Sequence, residues 1–155
     1  MEKIISVLHF IFFLFFLTYA FLFPKNWFDL YYLLLLFSTA LSWTICKGEC
    51  IISVLFKKYN DPNYQIGNNQ SVDDLTGLFG PRYKPWVELL IKPIMALQSY
   101  IVYLVLIRNN MDGYYAGLYF LYIIGLTMTN AILYQGFFFF VFLWILIKII
   151  HKVWR

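Results

Sequence analysis

Charge is scarce in this chain: Asp, Glu, Lys and Arg make up 13% of it, while 62% is hydrophobic and 23% aromatic. That charged share is about half of what a soluble globular domain carries. A water-soluble core of 155 residues could not hide so much apolar surface. Cysteine is equally sparse. Two cysteines build no disulfide scaffold, and the four-residue spacing of Cys46 and Cys50 suits neither a bridge nor a redox Cys-x-x-Cys pair, so free thiols are expected. Histidine is confined to His9 and His151 at opposite ends of the chain, which leaves no zinc-ligand set. Paired carboxylates, a nucleophile and base at a recognisable spacing and a glycine-rich phosphate loop are all missing. No metal and no cofactor is therefore expected. The net charge of +4 is spread over the ends of apolar runs, whereas nucleic-acid binding needs a clustered basic face, so no nucleic-acid partner is expected either.

What the chain does have is long apolar runs, and these predict an all-α fold: a polytopic transmembrane helix bundle forming a single domain, whose first partner is the lipid bilayer. Residues 4–23 make a run of about 20, enough at about 1.5 Å per residue to cross a hydrocarbon core. Thr18-Tyr19-Ala20 resembles a signal cleavage site, but the run continues to Phe23, which favours an uncleaved first helix. Pro24 ends it, and Lys25 and Trp27 suit a membrane interface. A second span is expected over 28–46 and a third over 86–107, with Pro93 kinking the third because proline cannot bond back to the carbonyl of Leu89. From Tyr114 to Ile147 no charge occurs over about 34 residues, roughly 50 Å as one helix and too long for a core of about 30 Å. A break at Tyr134-Gln135-Gly136 then gives spans at 114–133 and 137–150. Gly113, Gly117 and Gly125 fall on one face of the fourth span, where small residues let another backbone approach.

Run length thus favours five spans, whereas the positive-inside rule favours four. With five, the basic C-terminus lies opposite Lys3 and the central basic loop of Lys47, Lys57, Lys58, Arg82 and Lys84, which is expected to be cytosolic; with four, all these charges share one side. The polar loop, 57–85, is the one long hydrophilic segment. Within it Ser71 and Asp74 have capping-box spacing ahead of Val72, Leu75, Leu78 and Phe79, which predicts a short interfacial helix stopped by Gly80-Pro81. Asn69-Gln70-Ser71 is a glycosylation sequon that matters only if the loop faces a lumen.

The remaining chemistry gathers where the second span meets charge. Trp43, Cys46 and Cys50 lie at i, i+3 and i+7, one stripe of a continuing helix, with Lys47 and Glu49 off it. The favoured expectation is that the helix leaves the lipid at Lys47 to Cys50, which leaves Glu49 solvated. If the helix instead runs on to Phe56, Glu49 is held inside and must be neutral or paired, with His9 and Lys47 as the nearest candidates. His9 is expected to be a hydrogen-bonded packing residue and Gln98, with Ser99, to bond a neighbouring helix, while Asn130 adds a polar group low on the fourth span; His9, Glu49, Gln98 and Asn130 together are the polar groups a lipid-like substrate would need.

The Trp43-Thr44-Ile45-Cys46 motif, followed by basic residues and Tyr64-Gln65-Ile66-Gly67, resembles a family of small uncharacterised bacterial membrane proteins. That family has a His in its first helix, as His9 is here, and Trp-x-x-Cys-Pro-Leu-Thr at the end of its second. This chain has Lys47-Gly48-Glu49-Cys50 where the family has Pro-Leu-Thr, and the variant resembles small membrane proteins of large DNA viruses with AT-rich genomes. A bias to Phe, Tyr, Ile, Asn and Lys over Ala and Arg agrees with AT-rich codons. The resemblance implies no known activity. The expected function is non-enzymatic anchoring or assembly, with protein partners or a homo-oligomer in the membrane; the alternative is a small membrane enzyme or carrier for a lipid-like substrate, and a channel ranks last.

Overall fold

The computed structural model describes residues 2–68, 78–128 and 132–154, and among these the chain is all-helical with no strand. The helices are α1 (Glu2–Leu22), α2 (Asp29–Ile45), α3 (Ile51–Asn60), α4 (Lys84–Arg108, entered through a 3-10 turn at Pro81–Tyr83), α5 (Tyr114–Met128) and α6 (Ile132–Val153). Five of them run alternately up and down. α2 lies along α6 in the most extensive contact of the fold, α4 lies along α5, α1 packs on α4, and the short α3 folds back against α1 and α2.

Local chemistry sets the turns. Asn26 ties the α1–α2 corner, its Oδ1 accepting from the Phe28 amide at 2.8 Å and its Nδ2 donating to the Pro24 carbonyl at 2.8 Å. At the end of α2, Lys47 (φ 54°) and Gly48 (φ 89°) are successive left-handed residues, and the Gly48 amide reaches back to the Trp43 carbonyl at 2.7 Å. This closure stops the helix and reverses the chain. At the end of α4, Asn110 (φ 53°) does the same, with the Met111 amide on the Leu106 carbonyl at 3.0 Å.

Aromatic side chains fill the space between helices. Tyr19 of α1 stacks on Tyr32 of α2 at 4.4 Å, and the Tyr32 hydroxyl donates to the Phe16 carbonyl at 2.9 Å. Deeper in, Phe37, Tyr119, Tyr122 and Phe142 bring α2, α5 and α6 together and are fully buried. Such ring pairs add about 0.5–1.5 kcal/mol each beyond the area they bury.

Several boundaries differ from those expected. The polar loop loses its first residues to α3, which runs to Asn60, and its last to the start of α4. Of the expected interfacial helix, Leu78 and Phe79 are helical and Phe79 meets Phe10 edge to face at 5.4 Å; Asn69, Ser71, Val72, Asp74 and Leu75 lie outside the described residues. The break in the uncharged stretch is not at 134–136, because α6 already begins at Ile132. α4 holds Pro93 inside a single helix, which is compatible with the expected kink. Among the described residues one helical segment, Gly136–Val153, is long and apolar enough to cross a membrane, while Ser6–Leu22, Asp29–Ile45, Pro93–Arg108 and Tyr114–Gly125 are shorter apolar segments.

The glycine face also needs correcting. Gly113 lies in the turn before α5, and a Cβ there would sit 2.7 Å from Tyr103 Cε2, so it accommodates a ring and not a backbone. Gly117 is exposed with nothing within 4 Å of a built Cβ; Gly125 is buried in α5. Opposite effects follow for the first two. Gly113→Ala should lower stability by about 1–2 kcal/mol through overpacking, and Gly117→Ala should raise it by about 0.5–1 kcal/mol through helix propensity. Thermal unfolding in mild detergent reads both, and a loss at Gly117→Ala would restore the idea of a packed glycine face.

Candidate functional site at the α2–α3 turn

Because the chain reverses at Lys47-Gly48, the next residue is carried inward. Glu49 is 2% exposed, and its carboxylate is matched on every side. Lys57, two turns along α3, donates to Oε2 at 2.9 Å; the Tyr64 hydroxyl lies 2.8 Å from both oxygens; and the Gly67 amide donates to Oε1. Lys57 is itself buried, with its ammonium 5.4 Å from the centre of the Tyr64 ring. Gly67 has φ +95°, and a Cβ there would come within 2.8 Å of Lys47 Cδ, so glycine is required for the loop to close over the Lys47 stem. Lys57, Tyr64 and the Gly67 amide thus form one clamp around a single carboxylate.

This corrects both expectations for Glu49. The helix does end before Lys47, yet Glu49 is not solvated, and its ion-pair partner is Lys57 instead of His9 or Lys47. A helix that stops need not release its next acid to water when the chain turns back over it. The stripe of Trp43, Cys46 and Cys50 ends with the helix too. Both thiols are free; Cys46 is buried at 5% exposure, and Cys50 is half-buried as the residue before α3.

His9 pairs with Cys50, its Nε2 lying 3.5 Å from Sγ across α1 and the start of α3. Burial works against the Cys50 thiolate, but the His9 ring, the Ile52 amide and the Trp43 indole outweigh it and bring the thiol below its ordinary value. Trp43 is half-buried and stacks towards Tyr122 at 6.5 Å. Gln98 lies elsewhere in the bundle: buried on α4, its Oε1 accepts from the Tyr119 hydroxyl at 3.1 Å. Asn130 lies outside the described residues. His9, Glu49 and Gln98 therefore engage different partners and share no hydrogen bond with one another.

No family model, curated protein or solved structure matches this chain. Among the described residues no group of three or more His, Cys, Asp or Glu could hold a metal ion.

A second buried cluster, unremarked in the sequence, sits at the other end of the bundle. Asp29 in the first turn of α2 is 0% exposed and takes a two-pronged contact from Arg108 at the end of α4, with Nε on Oδ2 at 2.7 Å and Nη2 on Oδ1. The Tyr19 hydroxyl donates to Oδ1 at 2.9 Å and Asn109 Nδ2 to Oδ2 at 2.8 Å. Arg108 Nη1 also donates to the Phe23 carbonyl at 2.8 Å, closing the last turn of α1. Lys152 of α6 joins this end through the carbonyls of Asn109 and Asn110. Asp29 thereby locks α1, α2 and α4, with α6 fastened to the same turn.

Proposed function

We propose that this protein is a multi-pass membrane protein with five crossings, formed by α1, α2, α4, α5 and α6, which serves as a non-enzymatic anchor or assembly scaffold. The observation that carries this reading is the inverted distribution of polarity. Ile4, Leu8 and Ile11 on α1, Tyr100 and Ile107 on α4, and Phe140, Trp144 and Ile147 on α6 are all exposed, while Asp29, Glu49, Gln98, Ser99 and Asn109 are buried. An apolar exterior so broad marks a surface that meets lipid or protein. The two ionic clusters stand at opposite ends of the bundle, where charge costs least in a bilayer, and each carboxylate is fully matched. Such matched charge holds a shape and takes both carboxylates out of acid–base chemistry. The resemblance of the Trp43–Cys46 region to small multi-pass membrane proteins points the same way.

Two basic residues bear on the count of crossings. Lys57 is neutralised by Glu49, so it adds no charge to the central loop, and Lys152 is spent on the carbonyls of the 109–110 turn. That second contact sets the end of α6 beside the α4–α5 turn and opposite the α2–α3 turn, which favours five crossings over four.

The alternative, a carrier for a lipid-like molecule, draws on one feature. An apolar groove of about 360 Å³ lies between Tyr31 and Leu34 of α2 and Ile150, Val153 and Trp154 at the end of α6, and no acid, base or nucleophile lines it. Side-specific reporters at Lys25, Asp61, Asn110 and the C-terminus test the reading on the full chain. Asp61 should report one side and the other three the opposite side; a C-terminus on the side of Asp61 would remove a crossing. Purification in mild detergent should yield a defined oligomer or complex, and a monodisperse monomer that transfers or turns over lipid would sink the scaffold in favour of the carrier or enzyme.

A further inference from the structure

Cys50 and His9 are not needed by either ionic cluster. Their contact joins α1 to the start of α3. A thiol and an imidazole in contact form a nucleophile and its base, and here the indole of Trp43 and the amide of Ile52 further favour the charged sulfur. Cys46, four residues earlier, is buried, whereas Cys50 keeps part of its surface open. The residues flanking the pair, Leu8 and Ile51, are exposed, as is Leu55 one turn further along α3. A nucleophile at the mouth of a bundle, bordered by open aliphatic surface, suits an electrophile that carries a long hydrocarbon chain. A thiol just outside a spanning helix is also where reversible S-acylation falls.

We propose that Cys50 is a self-acylating thiol, which with His9 as base accepts a long-chain fatty acyl group from an acyl thioester such as an acyl-coenzyme A. His9 takes the thiol proton, and the Cys50 sulfur attacks the carbonyl carbon of the donor. The tetrahedral intermediate collapses by breaking the donor carbon–sulfur bond, and the departing thiolate takes the proton back from His9. One thioester is consumed and one is formed, with no change of oxidation state and no further reactant. The proposal rests on the membrane reading only for where the chain goes, along the exposed aliphatic side chains into the apolar exterior. The pairing of thiol and base does not depend on it.

The test uses the full chain in mild detergent near neutral pH with palmitoyl-coenzyme A as donor. It is read by intact mass, by release with neutral hydroxylamine and by mapping of the modified peptide. The wild-type protein should gain one hydroxylamine-labile acyl group, mapped to Cys50. Cys46→Ser should still gain it and Cys50→Ser should not. His9→Gln, checked for an unchanged unfolding temperature, should slow acylation by about 100-fold or more, the range of a lost general base. Alkylation of Cys50 by iodoacetamide should slow in the same variant, which a merely structural histidine would not cause. Because the site is mapped in the wild-type protein, a variant that fails to fold does not protect the proposal. Acylation at Cys46, at both thiols equally or at neither overturns it, as does an unchanged rate in folded His9→Gln. Acylated Cys50 in a chain whose reporters deny five crossings would sink the topology and leave this site standing.

Discussion

Asp29→Asn should destabilise the fold by about 3–5 kcal/mol, the cost of leaving one member of a buried ion pair without its counter-charge. The carboxylate accepts from Arg108, Tyr19 and Asn109 at once. An amide keeps one acceptor oxygen and turns the other position into a donor facing donors. Arg108 would then hold a charge with only carbonyl partners, at Phe23 and more distantly Ala20. Arg108→Gln should cost a similar amount, because it strands Asp29, the more buried partner. The double variant should cost clearly less than the sum of the two, since the second change removes the charge that the first had orphaned. Unfolding of the three variants in mild detergent checks this. Strict additivity, or single effects within about ±0.5 kcal/mol, would mean that Asp29 behaves as a surface residue.

Asp29 also shows where the sequence was readable and where it was not. Its position was in view: it is the single acid in the first turn of an apolar helix, and Arg108 is the single base in the last turn of another. In a bundle whose helices alternate in direction, the start of α2 and the end of α4 fall at the same end, so the pair could have been suspected from topology. Each residue, taken alone beside a polar turn, reads as solvated. The long apolar runs were legible as helices because uninterrupted apolar stretches of this length, bounded by Pro, Gly and charge, outrun any strand, and α1, α2 and α4 begin and end within two residues of where composition placed them. The start of α6 was not, because Tyr134-Gln135-Gly136 looks like a turn, while the helix begins at Ile132 and runs through all three. α3 was missed for a different reason. It is only ten residues long, and its buried positions mix the polar Ser53 and Lys57 with Val54 while Ile51 and Leu55 face out, so it reads as the tail of the apolar run before the polar loop.

Glu49→Gln carries the second large effect, again about 3–5 kcal/mol, now at the opposite end of the bundle. The reason lies in the donors around the carboxylate. Lys57, Tyr64 and Gly67 together fill both oxygens, and only one of those oxygens survives in glutamine. Lys57 would keep its charge in a buried position without the Glu49 carboxylate. Lys57→Met alone should be costly for the converse reason, and Glu49→Gln with Lys57→Met should recover part of the loss, as matched removal of a buried pair does. The clamp is local, so its loosening should be visible in the thiol beneath it. Cys46 is buried in the folded protein and should react slowly with a water-borne maleimide. If opening of the clamp governs access, a loss of about 3 kcal/mol should speed that labelling by roughly 100-fold, at about 1.4 kcal/mol per tenfold. Gly67→Ala attacks the same closure without touching charge, by forcing a Cβ onto the Lys47 stem at a left-handed φ, and should speed labelling in the same direction by a smaller factor. Fast labelling of Cys46 in the unaltered protein, with no response to either change, would mean that the 47–67 segment is open and that Glu49 is solvated after all.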